Sequence, residues 1–506
     1  MDVKKILIQQ AQRFADKPAI IFKDTSTTFS GLKDVVFRLA NAFSSLGIKK
    51  GDKVAIYLPN CPEYIFSYFA LFSIGAVVVP LDFMLTEKEI TGFISHSDTI
   101  VLIAKEKKGV DLNAVKNSCT LLQKIVLHED AEGATPVVQD YVAWNSLLQA
   151  SAEIPAQKVA DTDYSSIFYT SGSTGHPKGV LLTYGHLDVP VECIKHNLQV
   201  TDKDSYLCAG VPFSHIGGLD YQLFMLKFGS TLVLMDRFNP FESLKNLQQY
   251  KVTVFCIVPA MFVAILSLKE CDKFDLSALK HPVVFGAPSS PALLQRFHKL
   301  CPNAVLRNGW GMTETAAPNS YSPPDMSKLS SIGPIGLGME AKIVDDSGKE
   351  VAVGEKGELW LRGKGIMVGY YKEEALTKEV VTSEGWLKTG DIARKDADGL
   401  FYIVGRKKEM IKVAGEIVFS PEVEAVLHRH PKVNEVAVIG IEDKLRGEVP
   451  KAFIVVKEQE QLAEDELRSF SKEHMAHFKI PHVFEFRSDL PKTLSGKINK
   501  EALKTV

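Results

Sequence analysis

The sequence predicts an α/β fold in which mostly parallel sheets are covered by helices on both faces. Short apolar runs of strand length alternate with helical patterns over most of the 506 residues. These runs are continuous in Val, Ile and Leu, which is typical of strands that are buried on both faces. An apolar fraction of 45% with 24% charged residues indicates a folded globular chain. At about 100–200 residues per domain, the length predicts roughly two to four structural units.

The strand and helix signals are clearest before residue 335. The helical segment after Leu85 begins with a capping box formed by Thr86 and Glu89. Two uncharged runs, 64–81 and 252–268, approach the length of a membrane span, but a Gly or Pro divides each into a buried helix and a buried strand. The predicted strands are KVAIYLP, AVVVPLD, TIVLIA, KIVLHE, STLVLMD, VTVFCIVP and PVVFGAP.

The pattern changes after about residue 335, where short strands predominate. Two strand-like runs flank a DDSG turn in AKIVDDSGKEV, and GELWLRG and FYIVGR follow. We therefore expect a large N-terminal region, 1–407, of several subdomains, with two α/β-covered mixed sheets and a small β-barrel-like unit. A compact α+β C-terminal domain, 408–506, is expected to follow, with Ser420 as a helix N-cap and a further helix near 464–475.

Charge and cysteine content argue against several functional classes. The 59 basic and 61 acidic residues leave a net charge of −2, which disfavours a nucleic-acid partner because no positive excess replaces the counterions. Seven scattered cysteines without a C-x-x-C pair are typical of reduced thiols, so we expect a cytoplasmic protein without disulfides or a zinc cluster. Neither a signal peptide nor a transmembrane segment is expected.

A loop rich in glycine and hydroxyl groups follows the strand-like SSIFYT. It reads YTSGSTGHPKGV over residues 169–180. Glycines let backbone N–H groups converge, hydroxyls add donors and a lysine adds positive charge, and this combination suits a polyphosphate. The loop is not the P-loop of NTPases, because Pro177 stands where that motif requires glycine. On turn composition alone, a solvated Ser/Gly surface loop is the alternative.

The same loop resembles the signature of the adenylate-forming superfamily, which includes acyl-CoA synthetases, aryl-CoA ligases, firefly luciferase and peptide-synthetase adenylation domains. Further segments resemble the motifs of that family, in the family's order, from residue 169 to the C-terminus. They are PFSHIGGL, GAPSSP, NGWGMTET, GELWLRGKGIMVGYYK, LKTGD, GRKKEMIKVAGEIVFSPEVE and PKTLSGKINK. The first 160 residues are compatible with the family but less diagnostic.

The resemblance implies an AMP-forming acyl-CoA synthetase that uses ATP, Mg²⁺ and CoA. A carboxylate attacks the α-phosphate of ATP to give an acyl-adenylate and pyrophosphate, and the thiol of CoA then displaces AMP. In the first step an anion approaches a polyanion, so cations and backbone donors must offset their repulsion. The family performs the two steps by rotating a mobile C-terminal domain about a hinge, whose position matches Lys408.

Three residues match the catalytic positions of that family. Lys497 in LSGKINK matches the lysine whose charge lies between the substrate carboxylate and the α-phosphate. Glu314 in GMTE matches the glutamate that binds Mg²⁺, a cation that prefers oxygen ligands. His215 in PFSHIGGL matches a histidine near the carboxylate and the exit of pyrophosphate.

The resemblance also implies a set of cofactor-binding residues. Asp391 would bind both ribose hydroxyls, Arg406 would be the second ribose contact, and Trp310 would pack beside adenine. The other nucleotide-binding positions are Thr170, Ser171, Gly172, Ser173, Thr174, Gly175, Lys178, Gly286, Ala287, Pro288, Asn308, Gly309, Gly311, Met312 and Thr313. The positions expected to line the pantetheine channel of CoA are Lys412, Gly415 and Glu416.

The acid pocket of such an enzyme is expected after His215, around residues 259–263 and Gly286, and beside residues 310–317. The residues there are apolar or small, with no buried cation or acid evident, which favours a fatty acid or, as the alternative, an alicyclic or aromatic monocarboxylic acid. They are Gly217, Gly218, Leu219, Met261, Phe262, Met312, Ala316 and Ala317. Because two adjacent glycines could open a tunnel for an acyl chain, fatty acid metabolism is the first expectation.

Two other functions share many of these features. A ligase that loads a carrier protein would perform the same adenylation, and a nucleotide-binding regulatory protein would keep the fold without catalysis. The regulatory interpretation predicts the loss of Lys497 or Glu314, and both residues are present. A homodimer and peripheral membrane contact stay open.

Overall fold

The structure is a computed structural model that describes residues 1–128, 141–170, 178–286, 291–414, 416–443, 445–492 and 498–504. Within these ranges, no helix has the length and apolar character that crossing a bilayer requires. The first run that approached the length of a membrane span contains a buried helix and a buried strand, as predicted. In the second run the strand is largely buried, but the prediction of a buried helix is wrong, because only Phe262 and Ile265 of that helix are buried. The first is divided at Gly75, which has a left-handed φ of 76°, and the second is divided just before Pro259, where a helix begins.

The first part of the chain supplies most of one large sheet and two strands of another. Its capping box is confirmed, because the carboxylate of Glu89 accepts a hydrogen bond from the N–H of Thr86 at 2.8 Å. The elements are α1 (Val3–Arg13), β1 (Pro18–Phe22), β2 (Thr25–Thr28), α2 (Phe29–Ser45), β3 (Lys53–Tyr57), α3 (Pro62–Ile74), β4 (Val77–Pro80), α4 (Glu87–Ser97), β5 (Thr99–Lys105), α5 (Leu112–Ser118), β6 (Lys124–His128), β7 (Tyr141–Ala143), β8 (Tyr164–Thr170), β9 (Lys178–Thr183) and α6 (Asp188–Leu198).

The middle of the chain alternates strands and helices, as the apolar runs predicted. The elements are β10 (Ser205–Ala209), α7 (Ile216–Phe228), β11 (Thr231–Met235), α8 (Pro240–Gln249), β12 (Val254–Ile257), α9 (Pro259–Leu266), β13 (His281–Val284), α10 (Pro291–His298), β14 (Arg307–Trp310) and β15 (Ser320–Tyr321). A β-rich part follows with β16 (Met339–Val344), β17 (Lys356–Gly363), β18 (Gly369–Tyr370), α11 (Glu374–Val380), β19 (Leu387–Lys395) and β20 (Phe401–Arg406).

Two eight-stranded mixed sheets form the large region. The first sheet has the order β18-β9-β8-β4-β3-β5-β6-β7, and the second sheet has the order β15-β14-β13-β12-β10-β11-β1-β2. Their central strands are parallel, and antiparallel pairs lie at the edges, β18–β9–β8 in the first sheet and β14–β15 and β1–β2 in the second. The predicted α/β class with mixed sheets is confirmed. The small β-rich unit is a four-stranded antiparallel sheet, β16-β17-β19-β20, whose edge strands do not pair with each other among the described residues.

The C-terminal part folds around its own mixed sheet. Its elements are β21 (Met410–Val413), β22 (Glu416–Phe419), α12 (Ser420–Leu427), β23 (Val433–Asp443), β24 (Gly447–Val456), α13 (Glu464–His474), β25 (Val483–Arg487) and α14 (Lys500–Lys504). The prediction of α13 is confirmed, whereas that of Ser420 as an N-cap is wrong. Ser420 is the first residue inside α12, and its hydroxyl donates to the carbonyl oxygen of Glu409 at 3.2 Å instead of capping the helix.

Helices cover both faces of the second sheet, and this coverage positions the cleft. One face shares a continuous apolar core with the first sheet and with α1, α2, α3, α6 and α7. The opposite face packs on α8, α9 and α10. Ligands of such α/β sheets bind outside the carboxyl ends of the strands, which is where α7 begins and where the segments after β13 and β14 lie.

Gly333 joins the edge of the second sheet to the four-stranded sheet, and Gly333→Ala should destabilise this junction. Its φ is 77°, and an added Cβ would lie 1.9 Å from the carbonyl oxygen of Tyr321. As the matched control, Gly354 has a φ of 91° and no atom within 4 Å of an added Cβ. Gly354→Ala should lower the midpoint of thermal unfolding by about 2 °C, through a left-handed backbone penalty of about 1 kcal/mol. Gly333→Ala should lower the midpoint of thermal unfolding at least about twice as far. Equal changes of the midpoint in the two variants would contradict the expected clash with the carbonyl oxygen of Tyr321.

Candidate active site

The glycine-rich loop predicted to bind phosphate is closed by a β-hairpin. Thr170 at the end of β8 pairs with Lys178 at the start of β9. The Nζ of Lys178 lies 5.1 Å from the ring centroid of Tyr370, a cation–π contact that holds a positive charge beside the base of the loop. The described residues do not include the loop positions Ser171, Gly172, Ser173, Thr174 and Gly175.

Tyr370 also contacts the glutamate that was predicted to bind Mg²⁺. Its hydroxyl donates to Oε1 of Glu314 at 3.0 Å, and the N–H of Met367 donates to the carbonyl oxygen of Glu314 at 2.9 Å. Burial, and then the charge of Glu314, raise the pKa of the Tyr370 phenol well above its usual value, so the phenol remains a donor. One tyrosine therefore brings Lys178 and Glu314 together. Sequence reasoning missed Tyr370, although its GYYK segment was part of a recognised motif.

A Mg²⁺ ion fits this point as a ligand shared between protein and ATP. Within the part of the chain that the structure describes, no three His, Cys, Asp or Glu side chains form a metal-binding group. Nucleotide-bound Mg²⁺ normally uses only one or two carboxylates together with phosphate oxygens and water. Glu314 is partly exposed, and its side chain is held in place by Tyr370. The residues present therefore fit a metal that arrives with ATP.

The two residues predicted to bind ribose are cross-strand neighbours. Asp391 of β19 lies opposite Arg406 of β20, and the Nε of Arg406 lies 2.6 Å from Oδ1 of Asp391. The indole Nε1 of Trp310 donates to Oδ2 of the same carboxylate at 2.9 Å. Asp391 is only 2% exposed, so this pairing both offsets its desolvation and orients it. In this structure the indole of Trp310 therefore orients Asp391. Its predicted contact with adenine stays a prediction.

Two glycines predicted as nucleotide-binding positions are required by close packing. An added Cβ at Gly309 would lie 2.1 Å from the ring of Phe285, and one at Gly311 would lie 2.5 Å from the Cβ of Ala317. Gly286 follows β13 with a φ of 84°, which favours glycine. The described residues do not include the next two predicted nucleotide-binding positions, Ala287 and Pro288.

The remaining NGWGMTET residues are held by short hydrogen bonds. The backbone N–H of Asn308 donates to Oγ of Ser322 at 2.9 Å, which fixes β14 against the strand that follows it. The N–H of Met312 donates to Oγ1 of Thr315 at 3.3 Å, and Thr313 begins the short turn that carries Glu314. These contacts support the position of the glutamate.

His215 lies at the entrance of the cleft, as the residue before α7. Its Nε2 is 3.7 Å from Oδ2 of Asp82, an oxygen that also accepts a hydrogen bond from the hydroxyl of Ser214 at 3.2 Å. The His215 side chain is 41% exposed, so it reaches the open side of the cleft. Sequence reasoning missed Asp82. The available signal was an acid placed directly after the buried strand β4, at its carboxyl end.

The structure separates the residues that were predicted to line the acid pocket. Gly217 faces open space, because no atom lies within 4 Å of an added Cβ. Gly218 is required by packing instead, since its Cβ would lie 2.2 Å from the carbonyl oxygen of Pro212. The prediction for Phe262 is wrong: it packs edge to face on Phe297, with ring centroids 4.3 Å apart, in the core on the opposite face of the second sheet.

The other predicted lining residues divide by burial. Leu219 and Ala316 are each 1% exposed and belong to the main core. Those that are only partly buried are Met261, Met312 and Ala317. No buried acid was evident among the predicted lining residues; Asp220, the residue after Leu219, is a buried carboxyl on α7. Its position in an apolar helix was the signal that sequence reasoning passed over.

The C-terminal residues predicted to act begin at the turn between β20 and β21. Lys408 lies in the turn Lys407–Glu409; burial, and then the charges of Lys178 and Arg406, lower its pKa. The predicted hinge therefore lies within electrostatic reach of Lys178, the lysine that was predicted to bind phosphate. Lys412 and Glu416 are exposed on the hairpin of β21 and β22. The described residues do not include Gly415 or the predicted catalytic lysine, Lys497.

Lys500, which sequence reasoning did not single out, ties the start of α14 to the predicted hinge. Its Nζ lies 2.9 Å from Oε2 of Glu409 and 2.8 Å from Oε1 of Glu424. Burial opposes the charge of Lys500, but the two carboxylates outweigh it and raise the pKa of the lysine above its ordinary value. The end of the segment that carries Lys497 is thus fixed to the turn about which the domain is predicted to rotate.

Comparison with known proteins points to one family over both parts of the chain. The family model described as AMP-binding enzyme matches residues 7–371, and that of the AMP-binding enzyme C-terminal domain matches residues 422–497. The crotonobetaine/carnitine–CoA ligase of Salmonella paratyphi A is 34% identical over 515 residues, covering 98% of this chain and 97% of that protein. An anthranilate CoA ligase in complex with anthranoyl-AMP superposes with a TM-score of 0.93 at 27% identity, covering 100% of this chain and 97% of that one. An o-succinylbenzoate CoA synthetase of Bacillus subtilis, in complex with ATP and magnesium, superposes with a TM-score of 0.86 at 28% identity over 99% of each chain.

Trp310→Phe should weaken the use of ATP without disturbing the fold. The change removes the N–H that donates to Asp391, and a hydrogen bond to a charged group contributes about 1.5–3 kcal/mol, so the KM for ATP should rise at least about tenfold. Steady-state kinetics at varied ATP would measure this. As the matched control, the buried Nε1 of Trp360 has no hydrogen-bond partner among the described residues, and Trp360→Phe should leave the KM unchanged. Equal KM values for both variants and the wild type would refute the role of Trp310.

Proposed function

Because this chain belongs to the AMP-binding enzyme family, we propose that it joins a compact carboxylic acid with a largely apolar body to CoA, using Asp391, Glu314 and His215 along one cleft. It is an AMP-forming acid–CoA ligase, which makes a carbon–sulfur bond and uses ATP, Mg²⁺ and CoA. The observation that carries the assignment of residues is the convergence of Lys178 and Glu314 on Tyr370.

In this proposal the nucleotide lies along the carboxyl ends of the strands. Asp391, oriented by Arg406 and Trp310, accepts hydrogen bonds from the two ribose hydroxyls. Lys178 at the end of the glycine-rich loop faces the phosphates, and Glu314 supplies an oxygen ligand for the Mg²⁺ that ATP carries. The metal contributes charge neutralisation of the phosphates, and the protein contributes position.

The acid approaches from the side of His215. The imidazole lies beside Asp82 and remains accessible, so it can bind near the substrate carboxylate and the departing pyrophosphate. Lys497 is proposed to bring an ammonium group between the carboxylate and the α-phosphate, which lowers the repulsion between two anions. A carboxylate that attacks phosphorus needs this charge only in the first half-reaction.

We further propose that residues 408–506 rotate as a unit about Lys408 between the two half-reactions. After adenylation, the exposed hairpin with Lys412 and Glu416 would replace the Lys497 segment and line the entry of CoA. The contacts of Lys500 with Glu409 and Glu424 would keep the Lys497 segment fixed to the moving domain.

The acid itself is proposed from the pocket and from the names of the relatives. The relatives reported above are named for crotonobetaine, carnitine, anthranilate and o-succinylbenzoate, none of which is a long alkyl acid. A compact acid is therefore the first candidate. The fatty acid expected from the sequence is the second candidate, favoured by the open space at Gly217.

A panel of acids, assayed for pyrophosphate release and for AMP with and without CoA, tests the proposed function. Compact branched or aromatic acids should give CoA-dependent AMP at kcat/KM values at least about tenfold above those of long-chain fatty acids, as expected for a closed pocket. A maximum at long-chain acids would favour the second candidate. Pyrophosphate release accompanied by AMP only when a carrier protein replaces CoA would identify the alternative acceptor, because the thiol that accepts the acyl group displaces AMP from the acyl-adenylate. The absence of adenylation with every acid would refute the function.

Lys497→Ala should separate the two half-reactions. Removal of the ammonium group should lower acyl-adenylate formation at least about 100-fold, because one preorganised charge contributes several kcal/mol to such a transition state. Thioester formation from synthetic acyl-adenylate and CoA should change by less than about threefold. Lys504→Ala is the matched control, since Lys504 is an exposed lysine paired with Glu501 on α14. Equal loss of both half-reactions in the Lys497 variant would contradict domain rotation.

A further inference from the structure

Helix α7 carries a carboxyl group that the proposed reaction does not use. Asp220 is 6% exposed, and its Oδ1 has no hydrogen-bond partner among the residues that the structure describes. Burial raises the pKa of this carboxyl well above its usual value, and no cation among the described residues offsets that effect. Because an unpartnered buried carboxyl disfavours folding, the group needs a partner that the described fold does not supply.

Asp220 lies on the same face of α7 as Gly217. Residues three apart share a helix face, so Asp220 lies one turn below Gly217, where an added Cβ would meet no atom within 4 Å. Cys256 lies on the central strand β12 and yet is only partly buried, as is Phe285 after β13. The hydroxyl of Tyr221 donates to the carbonyl oxygen of Cys256, which shows that α7 packs on this strand. The partial exposure of these two side chains on an otherwise buried sheet face indicates open space between α7 and the carboxyl ends of the strands.

The surroundings of Asp220 are aromatic and contain unpartnered hydroxyl groups. Tyr206 and Tyr321 lie on the same face of the second sheet as Cys256, and neither phenol has a hydrogen-bond partner among the described residues. Burial first, and then nearby thiols and the carboxyl of Asp220, raise the pKa of the Tyr321 phenol, so the two groups are close. The phenols already offer donors to an uncharged polar substrate. A carboxylate adds a negative charge, which favours a positively charged group on the ligand. Aromatic rings favour a cation as well.

We propose that Asp220 selects a zwitterionic substrate, a carboxylic acid whose far end carries an ammonium nitrogen that pairs with the Asp220 carboxylate. This inference rests on the proposed function and specifies its acid. From His215 to Asp220 the helix rises about 7.5 Å, so the substrate is compact, with only a few bonds between its nitrogen and its carboxylate. The approaching cation favours the ionised form of Asp220, which then loses its proton to solvent. An unpartnered group is thereby replaced by an ion pair in a cavity lined by aromatic rings.

The first experiment compares two acids of the same shape in the wild-type enzyme. One is γ-trimethylammonio-butyrate, and the other is its neutral isostere, in which a quaternary carbon replaces the nitrogen. CoA-dependent AMP formation gives kcat/KM for each acid, and the charged acid should be preferred at least about tenfold. A smaller preference, or a preference for the isostere, overturns the role of Asp220 while the ligase function survives. If neither these two acids nor the wider panel is adenylated, the proposed function fails instead.

The second experiment changes the carboxyl group itself. Asp220→Asn keeps the size of the side chain and removes its charge, so the ratio of the two kcat/KM values should fall at least about tenfold. The midpoint of thermal unfolding should stay equal or rise, because the unpartnered acid is gone. An unchanged ratio, with both acids slowed equally and a lower midpoint, would indicate a structural role and overturn the proposal. Asp220→Glu restores the negative charge and should recover part of the ratio, which keeps the test decisive if the Asn variant folds poorly.

Discussion

The hydrogen bond from the Tyr370 hydroxyl to Glu314 is the contact on which the arrangement of the site depends. Tyr370 belongs to β18 at the edge of the first sheet, whereas Glu314 follows β14 of the second sheet. Lys178, at the start of β9, lies against the ring of the same tyrosine. A cation and a carboxylate that derive from different sheets therefore meet at one residue. Because the phenol stays protonated, it orients Glu314 without removing the negative charge that a Mg²⁺ ligand needs.

Two buried aspartates differ in whether nearby residues offset the desolvation of the carboxyl group. Asp391 is 2% exposed and has both carboxylate oxygens engaged, by Arg406 and by Trp310. Asp220 is 6% exposed and has an oxygen without a partner among the described residues. A paired carboxylate is ready to bind a neutral hydroxyl-bearing ligand, while an unpaired one gains most from a ligand that brings a positive charge. We relate the first to the shared substrate ATP and the second to the acid that distinguishes this enzyme.

Much of the fold follows from local patterns that the sequence displays directly. The capping box at Thr86, the break at Gly75 and the alternation of Val-rich strands with helices each act within a few residues, so they can be identified without a structure. Ser420 was mistaken for an N-cap because the same hydroxyl can satisfy a helix N–H or a distant carbonyl, and in this fold it donates to Glu409. Such a choice depends on which segment packs beside the helix.

The sequence by itself determined the α/β class, the motifs that relate this chain to adenylate-forming enzymes, and the residue types suited to ATP. These features depend on composition, periodicity and short spacings. Only the tertiary structure decided which side chains meet: it placed Phe262 on the far face of the second sheet, it buried the carboxyl of Asp220, and it brought Tyr370 to Glu314 across two sheets. The physical reason is that burial and electrostatic pairing are set by contacts between segments far apart in the chain, which a local pattern does not encode.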